Sequence, residues 1–239
     1  TGVINDLETI SSYIREHKTA LSIVDCVTSL GACNVPVDEW ELDIVASGSQ
    51  KGYMIPPGLS FISMSRKAWE ATERSNLPKF YLNLKSYRKS LLSNSNPYTP
   101  AVNLVFALDE ALQMMREEGL DNIFYRHNKH KLAMSNAMKA LNLELFADEK
   151  YLSPSITAIK SGEIDAEEFR KIIKNKFDIL LAGGQDHLKG KIFRVGHLGY
   201  INDRDIITII SAISNTLLDL GKINGQQAGE ALVVASKYL

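Results

Sequence analysis

The stretch LDIVASGSQKGYMIPPGLSFISMS, residues 42–65, holds two short apolar runs separated by a polar turn. Ile44-Val45-Ala46 and the run from Leu59 to Met64 are rich in branched and large apolar residues, the pattern of strands buried on both faces. Pro56-Pro57-Gly58 forces a turn between them. Upstream, ALSIVDCV (20–27) predicts a further strand of the same kind, and Leu7, Ile10 and Ile14 recur at helical spacing, which predicts a helix over 6–17. Helix and strand alternating in this way predict an α/β layered sheet.

Helices dominate the expectation from Ser65 to about Leu143, and the long one beginning near Val102 should stop at Gly119, a residue suited to a C-terminal cap. After Phe146 the pattern changes. Residues 155–184 read strand, helix, strand; KIFRVGHLG (191–199) reads as another strand, and 203–220 and 225–238 as helices. Two domains are expected: residues 1–120 as part of a larger domain, and 121–239 as a smaller α+β domain.

The totals narrow the class of function. At 239 residues the chain can bury a substantial core, and 45% apolar with 23% charged residues is ordinary for a globular protein. A net charge of −1 offers no basic field for a nucleic-acid backbone. No apolar stretch is long enough to span a bilayer, and TGVINDLETISSYIREHK has neither the basic leader nor the apolar core of a signal peptide. Two cysteines, Cys26 and Cys33, complete no metal or disulfide framework. A cytoplasmic protein is expected. "TGV" is not an initiator sequence, so the chain is expected to come from the interior of a longer protein.

Three residues carry the chemical expectations. Lys51 follows Ser47, Gly48, Ser49 and Gln50 just past a strand end, where ligand sites of open α/β sheets lie. It is either a solvated surface lysine or an amine set among small polar groups and backbone N–H groups that suit an anion such as phosphate. A desolvated lysine amine can form a Schiff base. Asp25 ends the other apolar strand. It is either a helix N-cap or a carboxylate awaiting a cation such as a protonated pyridine nitrogen. Arg194 lies in an apolar strand, and either forms a salt bridge or presents its planar fork to a substrate carboxylate.

Other motifs fail. GGQDHLKGK has one residue too many for a P-loop, and Ile192 stands where Ser or Thr should hold magnesium. GSQKG is not a nucleophile elbow. His127 and His130, in YRHNKHK, read as the solvated face of a basic helix, and His187 and His197 have no metal-ligand companions.

Taken in order, TGV (1–3), IVDCVTSLG (23–31), SGSQKG (47–52), PPG (56–58), YTPAV (98–102) and AGGQDHLKGKIFRVGHLG (182–199) resemble the class V aminotransferases of the alanine–glyoxylate and serine–pyruvate type, which are fold-type I pyridoxal-phosphate enzymes. The resemblance runs the length of the chain. It implies Lys51 as the Schiff-base lysine, Asp25 as partner of the pyridine nitrogen, Val27 against a face of the ring, and Gln50 on the phosphate. It further implies that Thr99 and Tyr98 reach the phosphate of the neighbouring subunit of a homodimer, and that Arg194 binds the substrate α-carboxylate. The implied reaction is a ping-pong transfer of an amino group from alanine, serine or aspartate to glyoxylate or pyruvate.

The family also has a segment ahead of TGV, with further strands and a glycine-rich phosphate cup, so an incomplete large domain with an open sheet edge is expected. A cysteine desulfurase is disfavoured, because Gln50 precedes Lys51 and no cysteine follows Cys33. A cofactor-free binding or scaffold subunit is the alternative, since some relatives carry the label of a soluble hydrogenase subunit.

Overall fold

The computed structural model describes all 239 residues, which divide into two compact units. The N-terminal unit comprises Glu8–Val27 and Pro36–Met114; the C-terminal unit comprises Thr1–Leu7, Thr28–Val35 and Met115–Leu239. The first residues join the C-terminal unit through backbone bonds from Ile4 to Tyr151 (2.8 Å) and from Ser153 to Gly2 (2.9 Å). No helix is long and apolar enough to cross a membrane.

In the N-terminal unit, α1 (Leu7–Arg15) leads to a three-stranded sheet of β1 (Ile23–Asp25), β2 (Ile44–Gly48) and β3 (Ser60–Met64) in the order β1-β2-β3. β1 runs parallel to β2, and β3 runs antiparallel to it. Then come α2 (Arg66–Thr72), α3 (Leu84–Leu92) and α4 (Val102–Glu118). Ser65 caps α2 by accepting a hydrogen bond from the Ala68 amide, and Asn83 caps α3 through Lys85.

The expectation that these strands are buried on both faces is corrected. Ile23 is 74% exposed and Ile62 48% exposed, while Val45 is buried. The register explains it: Ile23 and Ile62 lie on the sheet face that bears Asp25, which is open, whereas Val45 points to the opposite face. β1 is also shorter than the apolar run that predicted it. Ser22, just ahead of it, is engaged with buried Asp43: its hydroxyl accepts from the Asp43 amide at 2.7 Å, and its own amide donates to the Asp43 carboxylate at 3.0 Å.

In the C-terminal unit, α5 (Leu120–Ala140) begins where α4 ends. Gly119 stands between them at φ +84°, a backbone that suits glycine, so the helix stop read from the sequence is realised. β4 (Ile156–Lys160), α6 (Ala166–Phe177), β5 (Ala182–Gly183), β6 (Ile192–Gly196), α7 (Asp203–Asp219) and α8 (Gly225–Ser236) follow. β6 is the centre of an antiparallel sheet ordered β4-β6-β5. The strand expected before Gly183 reduces to two residues, since Leu180 stays exposed. Met134, Met138, Phe169, Phe193, Ile213 and Leu217 belong to one core, with the Phe169 and Phe193 rings 5.0 Å apart. Asn202 and Asn224 open α7 and α8 with reciprocal capping boxes.

Candidate active site

The register of the N-terminal sheet sets out the site. Asp25 lies opposite Ala46, which lies opposite Ile62, so the three share one face. Gly48, two residues beyond Ala46, faces the same way. A Cβ added to Gly48 would stand 3.3 Å from Gln50 Oε1 and 3.8 Å from Val27 Cγ1. Asp25, Val27, Gly48 and Gln50 are thus gathered where β1 and β2 end, around a cradle that a side chain on Gly48 would fill. Lys51 is the next residue.

The turn carrying Lys51 is braced from several directions. Ser49 is fully buried; its amide donates to Leu59 O, its hydroxyl donates to Pro56 O at 2.8 Å, and the Leu59 amide donates back to that hydroxyl at 3.2 Å. Backbone bonds from Met54 to Lys51 O and from Ile55 to Ser49 O close the turn. Met54 adopts φ +62°, a conformation that costs a residue with a side chain and that recurs at functional sites. The Lys51 side chain is half-buried and takes part in no hydrogen bond or ion pair, so its amine is uncommitted.

One expectation is corrected by this bracing. Ser47 and Ser49 were read as groups free to hold an anion, yet both are buried and engaged within the protein, Ser47 with Cys26 O and Ser49 with Pro56 O. They shape the turn, whereas the Gln50 side chain is exposed and unpaired.

Asp25 caps no helix, since turns follow β1. Its Oδ1 accepts a hydrogen bond from the Val27 amide at 2.9 Å, a local turn that fixes the carboxylate, while Oδ2 has no partner. The carboxylate is exposed. It can therefore accept from a cationic N–H without losing its own anchor.

Tyr98 and Thr99 lie on the loop ahead of α4, outside the Gly48 cradle. The Tyr98 hydroxyl donates to Phe80 O at 3.0 Å, and its ring packs among Phe80, Tyr81 and Tyr87. Thr99 is exposed, with an uncommitted hydroxyl. In the C-terminal unit, Arg194 is half-buried on β6. Its Nε donates to Gly183 O at 2.8 Å, and no carboxylate lies within ion-pair distance. The salt-bridge alternative is thereby removed, and the two terminal nitrogens of the guanidinium stay available.

Sequence reasoning misread two histidines. His127 and His130 are completely buried, as is His197. The basic residues around them suggested a wet helix face, but α7 and α8 pack against α5 and enclose that side. Gly48 was read as a source of small size and backbone amide alone; its value as the floor of the cradle comes from sheet register.

The family model for class-V aminotransferases matches residues 1–210. The chain belongs to that family. Class-V aminotransferases are pyridoxal-phosphate-dependent enzymes of fold type I, and this chain has that fold. It is 56% identical over its whole length to a protein named soluble hydrogenase, small subunit, from Synechococcus sp. (strain PCC 6716), covering 62% of that protein. It is 33% identical, again over its whole length, to serine–glyoxylate aminotransferase of Arabidopsis thaliana, covering 60% of it. The crystal structure of ureidoglycine–glyoxylate aminotransferase from Bacillus subtilis superimposes with a TM-score of 0.90 at 30% identity, covering 99% of this chain and 62% of that one. The chain therefore spans about three-fifths of the length of these relatives.

Proposed function

We propose that the protein carrying this chain is a pyridoxal-phosphate-dependent aminotransferase, with Lys51 as the residue that holds the cofactor. The observation that carries this reading is the cradle at Gly48. Val27 and Gln50 approach the side-chain-free position at Gly48, Asp25 lies on the same sheet face, and an uncommitted amine follows shortly after. The donor set suits the cofactor's three parts: a free carboxylate oxygen for a protonated ring nitrogen, an aliphatic side chain for a ring face, and an amide for a phosphate.

Bound pyridoxal phosphate would supply an electron-withdrawing ring that stabilises negative charge developing at an amino acid's α-carbon. The chain's own residues do the rest. Lys51 Nζ would attach the cofactor and, as a neutral amine, would take a proton from the amino acid's α-carbon and give one back. Asp25 Oδ2 accepts the ring N–H and keeps that nitrogen protonated, while the bond from Val27 N holds the carboxylate in place. Arg194, tethered through Nε, offers its remaining nitrogens to the substrate α-carboxylate.

Thr99 is the cross-subunit phosphate contact in this reading. Tyr98, whose hydroxyl is already given to Phe80, supports the loop instead. A homodimer is consistent with the apolar surface of the N-terminal unit, where Leu77, Phe80, Leu82, Leu91, Leu92 and Phe106 are each more than two-thirds exposed. The names of the relatives favour glyoxylate as amino acceptor, with serine, alanine or aspartate as donor.

The second reading, a cofactor-free subunit, draws on the relatives named as hydrogenase subunits. Colour separates the two. The protein purified with pyridoxal phosphate is expected to be yellow, and borohydride reduction followed by peptide mapping to place the cofactor on Lys51. Lys51→Ala is expected to lose that adduct and to lower transamination by at least about 10³-fold. A folded protein that takes up no cofactor leaves the subunit reading standing.

A further inference from the structure

Three of the five histidines are completely buried in the C-terminal unit, and all three fasten one turn. His127 Nδ1 donates to Ile123 O at 2.8 Å, and its Nε2 accepts from the Gly199 amide at 3.1 Å. His197 Nδ1 donates to Pro154 O at 3.0 Å, and its Nε2 lies 2.9 Å from the Thr157 hydroxyl. His130 Nε2 lies 2.8 Å from Asp203 Oδ1, and its buried Nδ1 has no partner. The turn running from His197 to Asp203 joins β6 to α7. Arg126 grips it as well, donating to Gly199 O at 2.8 Å and Ile201 O at 3.1 Å.

Each ring fits this site only in its neutral form. A proton on His127 Nε2 would set one N–H against the Gly199 N–H. A proton on His130 Nδ1 would bury a charged donor with no acceptor. A proton on His197 Nε2 would be tolerated only if the Thr157 hydroxyl turned round to accept it. We propose that His127, His130 and His197 form a proton-operated latch that holds the β6–α7 turn closed while all three rings are neutral and releases it when they are protonated.

The surrounding charges favour concerted release. Around the rings stand Arg126 and Lys129 from α5, Glu118 from the end of α4, and Asp203 from the start of α7. Glu118 is held by Arg126, and Asp203 is shared between Lys129 and His130. α8 packs on α5 but brings no charge, since its one ionisable side chain, Glu230, is exposed. β4 contributes only the Thr157 hydroxyl. Burial is the main cause that pushes His127 down to about 4 and His197 down to about 3, and it lowers His130 against the pull of Asp203. A first proton loosens the turn and exposes the other two rings to water.

The sign follows from the lowered affinities. In the unfolded turn each histidine titrates near 6.5; in the closed turn none does. Opening therefore takes up protons, and the closed form loses stability as pH falls below 6.5.

The test is ring 15N–1H spectroscopy of the full chain between pH 7.5 and 4, together with hydrogen exchange at Gly199 and Ile201. An imidazole free in water titrates near 6.5. The three buried rings are expected to stay neutral below that point and then to shift together, over the interval in which the Gly199 amide loses protection. Any one of them titrating alone while Gly199 remains protected overturns the latch, as does loss of protection with the rings still neutral. As a second readout, His127→Gln and His197→Gln should each reduce the pH slope of stability between pH 6.5 and 4.5 by about one proton. An unchanged slope in both variants also overturns it.

Discussion

The two three-stranded sheets of this molecule sit in opposite surroundings. In the C-terminal unit, β6 lies between β4 and β5, and Ile192, Phe193 and Val195 are all buried. In the N-terminal unit, β1 and β3 are edges, and the face that bears Asp25 also carries exposed Ile23 and Ile62. The ionisable groups follow the same division. The buried histidines of the C-terminal unit have every ring nitrogen but His130 Nδ1 taken up in holding a turn, while the side chains of Lys51 and Gln50 and one oxygen of Asp25 in the N-terminal unit have no protein partner. A polar group enclosed in protein is used up in satisfying its neighbours; one at an open strand end is left for a ligand.

Truncating the core of the closed sheet gives the largest effect that follows from this contrast. Phe193 is buried against Phe169, and Phe193→Ala is expected to destabilise the C-terminal unit by about 4 kcal/mol, through lost transfer energy and the cavity left behind. Denaturant unfolding followed by far-ultraviolet circular dichroism measures it. A loss near 1 kcal/mol would mean that this sheet is no better packed than its exposed counterpart, and the contrast would collapse.

How far the two regions could be read from sequence differs in the same way. The helical pattern over 203–220 and 225–238 and the stop at Gly119 were legible from apolar periodicity and a capping glycine, whereas the caps Asp165, Asn202 and Asn224 show themselves only in the structure. Lys51 and Asp25 stand out because their neighbours are unusual for a surface lysine and a plain cap, and the structure leaves the Lys51 amine and one Asp25 oxygen without a protein partner. Burial was harder to read. The apolar runs of β1 and β3 promised enclosure, but enclosure depends on what packs on each face of the sheet, and that is not written in any one strand: β4 is an edge strand too, yet it is buried. His127 and His130 failed for the converse reason. Arg126, Lys129 and Lys131 beside them suggest a wet face, whereas the packing of α8 on α5 decides which side of the helix is covered. The commitment of Ser47 and Ser49 to Cys26 and Pro56 was hidden as well, since a serine in a glycine-rich turn reads the same whether its hydroxyl faces a ligand or a backbone carbonyl.

A smaller effect probes the open strand end. Gly48→Val places branched carbons where Gln50 Oε1 and Val27 Cγ1 already approach. Gln50 is exposed and able to move aside, so the melting temperature should change little. Cofactor affinity, followed by absorbance titration, is expected to weaken about tenfold, or about 1.4 kcal/mol. A melting temperature that falls sharply while affinity holds would make Gly48 a packing residue and remove the cradle from the argument.

The smallest effect is the most discriminating for the comparison itself. Ile23 points away from the core of its unit, and Ile23→Thr keeps the β-branched shape that suits a strand while replacing a methyl-bearing arm with a hydroxyl. With the side chain 74% exposed, little apolar surface leaves or enters water on folding, so stability should move by less than about 0.5 kcal/mol. The same substitution at an enclosed strand position costs more, because the hydroxyl is then buried without a partner. Equilibrium unfolding of the variant beside the parent chain therefore reports directly on whether the Asp25 face is open. A loss above about 1.5 kcal/mol would mean that this face is covered when the protein folds, by a second copy or by another part of the molecule. The difference between the two sheets would then lie in what covers each and not in how each is built.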